Sequence, residues 1–244
     1  MAVFDAHVIG TIGGGRLEYG AIDEARLRLG SLRGNSQTAS AGSDTVRYAL
    51  GPSLGQCCGG EMHLRFEIVS AVDAVALSAR LKPAQTPLAL FGGGHVGKAL
   101  VRVLATLPLR VTWVDSRDEI FPLDVSGNVK CEHSDPVQAA VAQLEAGSRV
   151  LIMSFSHAED LDVVAACLLR QRSAGDLPFV GLIGSKTKWA TFRHRLQARG
   201  FTDLELAHVT CPIGIAGIRS KEPEVIAVAV AAQILRAIDA AGKA

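Results

Sequence analysis

Leu88-Ala89-Leu90-Phe91-Gly92-Gly93-Gly94-His95-Val96-Gly97-Lys98-Ala99-Leu100 decides the fold of this chain. Four apolar residues run straight into three glycines. A helical spacing then begins, with Val96, Leu100, Val103, Leu104 and Leu107 on one side. This reads as a buried strand, a tight turn and a helix. Gly92, Gly94 and Gly97 fit the G-x-G-x-x-G pattern. In that pattern Gly92 allows the turn, Gly94 lets a ligand approach the backbone, and Gly97 lets the helix pack closely on the strand. Gly93 and His95 complete the turn, and the N–H groups at the helix start favour an anion. A second strand, Val111-Thr112-Trp113-Val114, ends in Asp115, where the pattern expects an acid for a ribose hydroxyl.

From this stretch to the C-terminus, strands and helices alternate. Strands are expected at Leu88–Phe91, Val111–Val114, Val129–Cys131, Val150–Ser154 and Phe179–Ile183. Helices are expected at Val96–Leu107, Pro136–Glu145, Asp160–Arg172, Lys186–Arg199 and Pro223–Ala240. The pattern predicts an α/β fold with a doubly wound, Rossmann-like parallel sheet over 88–244. Val225 to Ala232 is apolar on every side, so the last helix is expected to be buried rather than surface-lying. Lys82-Pro83-Ala84-Gln85-Thr86-Pro87 reads as a linker, because two prolines interrupt any regular element. Residues 1–81 read as a small α+β domain. A strand at Val8–Ile12 enters Gly13-Gly14-Gly15, a helix follows over Leu17–Leu32, and a loop over Gly30–Gly42. Strands at Thr45–Leu50 and His63–Val69 come next, the second with clean alternation, and then a helix over Ala71–Leu81.

Composition narrows the function classes. The 244 residues are 48% hydrophobic and 5% aromatic, with a net charge of +1. No basic face with interleaved aromatics stands out, so nucleic acid is not expected as a partner. No apolar run has the roughly 18 residues that a membrane helix needs. The first residues lack the pattern of a signal peptide. Five scattered cysteines make no disulfide framework and suit a reducing cytoplasm.

Cys57-Cys58, between Gly55-Gln56 and Gly59-Gly60, is the most unusual local feature. A disulfide between neighbours strains the backbone. Thiolates there suit a soft metal or sulfur in transit, against the plainer reading of two small apolar residues in a turn. Cys131, Cys167 and Cys211 have no spacing that completes a zinc set. Gly13-Gly14-Gly15 before a helix is a second candidate anion cradle, against a plain turn. His157 follows a buried strand and is placed for ligand contact or proton transfer, while Ser156 or Asp160 alternatively caps the next helix. Ser185, Lys186 and Lys188 open a helix and suit an anion, against a simple N-cap with solvated lysines. Cys211-Pro212-Ile213-Gly214 is a rigid cysteine-bearing turn, against a buried thiol.

These pieces, in this order, resemble the XdhC/CoxI family. The matching runs are Gly10 to Glu18, Leu54 to Gly60, Phe91 to Gly97, Ser156-His157, Gly181 to Lys188, Cys211 to Gly214 and Pro223 to Gln233. Within it, Ser185-Lys186-Thr187-Lys188 and Ser220-Lys221-Glu222-Pro223 look most like the XdhC branch, the accessory proteins of bacterial xanthine dehydrogenase. The resemblance implies a maturation factor that catalyses nothing itself. It would bind the molybdenum cofactor (molybdopterin), protect it, assist its sulfuration and deliver it to the molybdenum-binding subunit of xanthine dehydrogenase in purine catabolism. A cysteine desulfurase would be the second partner. Cys57 and Cys58 would contact molybdenum, while the Gly92–Gly97 turn and Ser185–Lys188 would hold the phosphate. Family members usually begin some tens of residues earlier, so the N-terminal domain is expected to be truncated at its start. They also often carry Thr-His where this chain has Ser154-Phe155. The apolar N-terminal segment points to a homodimer.

Two other readings rest on Gly92–Gly97 and Asp115. One is an NAD(P)-dependent oxidoreductase, the other a nucleotide-sensing module. Against the first, the two tyrosines, Tyr19 and Tyr48, both lie outside the Rossmann-like half, where no Tyr-Lys or His-Asp catalytic set stands out.

Overall fold

A computed structural model describes residues 1–34, 43–50, 60–81 and 84–241. Met1–Lys82 and Pro83–Ala244 form two compact units. In the first, β1 (Ala2–Val3) pairs antiparallel with β2 (Val8–Ile9). The strand expected to run to Ile12 therefore ends three residues early. The chain turns there through Gly10, Gly13, Gly14 and Gly15, all at positive φ. Helix α1 (Gly15–Gly34) runs further at both ends than its apolar spacing suggested and takes in the start of the expected loop. Strands β3 (Ser43–Leu50) and β4 (Gly60–Glu67) form an antiparallel pair with Val46 opposite Leu64. Leu64 and Phe66 are half-buried while His63, Arg65 and Glu67 are exposed, which is the expected alternation. A 3-10 turn at Ala71–Asp73 leads into α2 (Ala74–Leu81). Gln56, Cys57 and Cys58 lie outside the described residues.

The second unit is built on six parallel strands. They are β5 (Thr86–Phe91), β6 (Leu109–Asp115), β7 (Val129–His133), β8 (Arg149–Ile152), β9 (Phe179–Leu182) and β10 (Val209–Thr210). Their order is β10-β9-β8-β5-β6-β7. Chain order thus reverses between β5 and β8, the switch point of a Rossmann-like sheet. Strand β5 takes in Thr86 and Pro87, which read as linker from sequence. Pro87 is tolerated because it pairs only with β6; pairing with β8 starts at Leu88.

Both faces of the sheet are covered, so its central strands are apolar throughout rather than alternating. Ala89 and Phe91 of β5, with Val150 and Ile152 of β8, point into one core. That core is closed by α4 (His157–Ala174), α5 (Lys186–Ala198) and the short α6 (Asp203–Leu206). Leu88, Leu90, Leu151 and Met153 point into the other core, closed by α3 (His95–Leu104) and α7 (Pro223–Ala241). The segment read as a helix over 136–145 is a 3-10 helix, Val137–Gln143. Residues three apart eclipse in that geometry, so Val137 and Ala140 both reach the core. Helix α7 is not buried all round. Ala227, Val230, Ala231 and Ile234 face the core, while Val228 is 57% exposed. A sheet face covers one side of a helix, and single apolar residues on the outer side are ordinary.

The turn after β5 tolerates no side chain at two of its glycines. A Cβ on Gly92, which sits at φ +119°, would lie 2.0 Å from the carbonyl oxygen of Met153. A Cβ on Gly97 would lie 2.1 Å from the carbonyl oxygen of Gly92. Gly94 meets nothing within 4 Å and has φ −67°. Gly92→Ala and Gly97→Ala are therefore expected to lower stability by about 2–4 kcal/mol in urea unfolding, whereas Gly94→Ala costs about 1 kcal/mol or less.

Candidate functional site

The C-terminal ends of β5, β6 and β8 bring several of the expected residues together. Phe91 and Gly92 are held between neighbours. Met153 N–H donates to Phe91 O at 2.8 Å, and Gly92 N–H donates to Val114 O at 2.8 Å. Trp113 Nε1 donates to Gly92 O at 3.0 Å. Gly93 is buried under Ile120, whose side chain lies 2.7 Å from where a Cβ would be. Gly94 is exposed and opens α3, and no side chain caps that helix. His95 is exposed at the first helical position. The open face of Gly94 and the uncapped start of α3 are the part of this turn that suits an anion.

Asp115 sits at the end of β6 beside the same turn but faces inward, at 1% exposure. Its Oδ2 accepts Gly93 N–H at 2.6 Å and Arg117 Nη2 at 2.9 Å. Its Oδ1 accepts Arg117 N–H at 3.0 Å and Arg117 Nε at 2.8 Å. Burial pushes this carboxyl up. The Arg117 guanidinium and the N–H donors of Gly93 and Arg117 outweigh that and hold it below the usual range. The ribose contact expected of Asp115 thus competes with a complete set of internal donors. Arg117 escaped the sequence reading; the local signal for it is Asp115-Ser116-Arg117, an acid and a base two apart after a strand.

The end of β8 carries a second cluster. Ser156 caps α4 by accepting Glu159 N–H, so the capping alternative holds for this serine. His157 is exposed, with its ring edge-on to Phe192 at 6.3 Å. Asp160 is 2% exposed and bridges two elements. Its Oδ1 accepts Ser154 N–H at 2.7 Å and its Oδ2 accepts Lys188 Nζ at 2.5 Å. Lys188 also donates to Ile183 O at 2.9 Å and lies 5.4 Å from the Phe192 ring. Its ammonium is turned inward, tying β8 to β9, so it does not stand out toward a phosphate as expected. Ser185 caps α5 by accepting Lys188 N–H, and Lys186 is exposed. Asp160 as the partner of Lys188, 28 positions away, had no sequence signal. Cys211 is half-buried near this pair. Burial pushes its thiol up to about 11, Lys188 pulls it down and Asp160 pushes it up. Cys211 is therefore protonated at neutral pH.

In the N-terminal unit, Glu18 reaches back to the first glycine turn. Its Oε2 accepts Ile12 N–H at 2.8 Å, Gly14 N–H at 3.1 Å and the Thr11 hydroxyl. The Thr11 hydroxyl and these N–H donors hold the Glu18 carboxyl below its usual range. Gly13 N–H goes to Thr11 Oγ1 at 3.0 Å. The cradle expected at Gly13, Gly14 and Gly15 is occupied by the chain's own carboxylate. Among the described residues, no group of three or more His, Cys, Asp or Glu side chains is placed to hold a metal. No helix among them is long and apolar enough to cross a membrane.

Two outcomes follow from this geometry. Lys188→Ala leaves Asp160 buried and uncompensated and is expected to cost about 3–5 kcal/mol in urea unfolding, against about 0.5 kcal/mol or less for exposed Lys186→Ala. A carboxyl depressed in the folded state stabilises above its unfolded value, about pH 4, and loses that stabilisation as the pH falls through the folded value. The wild-type urea midpoint should therefore drop in that acid range, and Asp115→Asn should flatten part of the drop.

The family model described as the XdhC Rossmann domain matches residues 88–234, more than half of the chain. Over 236 residues, 95% of this chain, the sequence is 25% identical to YqeB of Escherichia coli (strain K12), described as an uncharacterized protein. The chain spans 39% of the length of that curated relative. A solved structure from Bacillus halodurans, described as a xanthine dehydrogenase, superposes with a TM-score of 0.68 at 17% identity. That likeness covers 95% of this chain and 83% of the other and is one of fold. With Leu88–Phe91 of β5, the glycine turn and α3 inside the matched Rossmann domain, the chain belongs to the XdhC family.

Proposed function

We propose that this chain is a maturation factor for a molybdenum hydroxylase. It binds the molybdenum cofactor, shields it, assists its sulfuration and passes it to the molybdenum-binding subunit of xanthine dehydrogenase. A cysteine desulfurase supplies the sulfur, and the exchange takes place in the cytoplasm. Membership of the XdhC family carries this reading. The turn at Gly94 supports it physically. A phosphate fits there because Gly94 has open space on its side-chain side and no side chain caps α3. Gly94, His95 and Val96 would hold the phosphate through backbone N–H groups, and Lys186, exposed at the start of α5, would add a solvated cation. The cofactor itself supplies the dithiolene-bound metal and the site of sulfuration.

A carrier needs binding and release more than a poised acid and base. Lys188 is spent on Asp160 and Ile183, and the Cys211 thiol is protonated at neutral pH. Burial pushes the Cys167 thiol up to about 12, which marks it as a core residue. Sulfur handling is assigned to Cys57 and Cys58, with Gln56 beside them, on their glycine-flanked setting and the family resemblance. The reading as an NAD(P)-dependent oxidoreductase is weaker, because Asp115 is already bonded to Gly93 and Arg117.

Purified protein incubated with free molybdenum cofactor and desalted should retain molybdenum and pterin near one per chain. Gly94→Ala should weaken retention about tenfold with little loss of stability, because the added methyl enters the phosphate face. Cys57→Ala/Cys58→Ala should lose the metal contact, and a double variant that still binds and delivers cofactor normally would remove the cysteines from the proposal. No retention by the wild type, together with binding of NAD(H), would move the assignment to a nucleotide-binding role.

A further inference from the structure

A carboxylate offers about four lone-pair sites. All four sites of Asp115 are taken from within the chain, three by Arg117 and one by Gly93. In a dinucleotide-binding Rossmann unit, an acid at the end of this strand accepts the hydroxyls of the adenosine ribose. Here the forked guanidinium of Arg117 makes that two-point contact instead. It does so with charge assistance, and such bonds are about twice as strong as those of neutral donors.

The guanidinium is also held from its flat face. Its Cζ lies 4.2 Å from the centre of the Phe155 ring, in the loop after β8. Phe155 N–H donates to Glu159 Oε2 at 3.0 Å, and Glu159 Oε1 accepts the Ser116 hydroxyl at 2.8 Å. The loops after β6 and β8 thus grip Arg117 together. Ile120, from the same loop as Arg117, covers Gly93. Phe155 itself is 66% exposed, so this grip lies at the surface where a ligand would enter.

We propose that Arg117 is an internal stand-in for a ribose diol, and that it makes the Rossmann crevice of this chain refuse adenine dinucleotides. A ribose could reach Asp115 only by displacing a charged, two-point donor and leaving it without its partner. Selection by blocking the wrong ligand is a general route to specificity. The exclusion acts on the ribose subsite alone. The start of α3 stays open to a phosphate of another cofactor, so the exclusion holds whichever cofactor the crevice carries.

NADH titration of the full chain, followed by nucleotide fluorescence, tests this. The wild type should show no saturation up to about 1 mM, and Arg117→Ala should bind at least about tenfold more tightly. The double variant Asp115→Asn/Arg117→Ala should return toward wild type, since the freed carboxylate is what receives the ribose. Arg117→Lys keeps a one-point charge contact, protects the fold if Arg117→Ala unfolds, and should gain about threefold. Thermal melts establish which variants are folded. Low-micromolar NADH binding by the wild type, or no gain in any folded Arg117 variant, would overturn the proposal. Cofactor retention by the wild type is scored on the same preparations. Retention without any gain in NADH binding would overturn the blocking role and leave the carrier role standing; the NADH gain without retention would do the reverse.

Discussion

The close approach of Gly92 to Met153 and of Gly97 to Gly92 is the constraint on which the second unit depends. At both positions a methyl group would come within about 2 Å of a carbonyl oxygen. This lets the chain leave β5, turn beside the end of β8 and start α3 against the sheet. Packed interiors do not yield continuously to such intrusions. The same tightness places the C-terminal ends of β5, β6 and β8 side by side, where chain order reverses and ligands of this fold class are bound. Gly94, by contrast, is held by nothing on its side-chain face, so its lack of a side chain is free to serve a ligand.

One chemical device recurs at the two glycine-rich turns. Exposed backbone N–H groups attract anions, and in both units the chain supplies a carboxylate of its own. Glu18 takes Ile12 and Gly14; Asp115 takes Gly93. Asp160, buried like Asp115, is matched by Lys188 across two strand ends. Buried charges of this kind are strongly destabilising when one partner is removed, so they serve as fixed points around which loops are arranged. The loops after β6 and β8 are arranged in this way around Arg117, with Phe155 and Glu159 closing the set.

Much of the second unit was legible from local pattern. The apolar run of Leu88–Phe91 followed by glycines, and the strand and helix spacings after it, reflect burial on both sheet faces and appear directly in residue order. Other features were not legible, each for a physical reason. The segment around Val137–Gln143 has a helical composition, and only its packing favours the tighter 3-10 turn. Helix α7 reads as apolar all round, but the sheet covers only one of its sides, which leaves Val228 outward. Lys188 reads as a solvated lysine at a helix start because nothing near it in the chain announces Asp160.

By itself, the sequence determined where the chain could bend, which segments had to be buried, and which residue types stood at the strand ends. These properties follow from steric limits on φ and from the period of apolar residues, and both act over a few neighbouring positions. Tertiary structure alone decided which of the polar residues at the strand ends remain available to a ligand. Asp115, Lys188 and Glu18 all carry the charge that ligand binding would use, yet each is already paired inside the chain. Availability depends on which donors and acceptors meet in space, and for Asp160 and Lys188 that meeting spans 28 residues and the whole of β9.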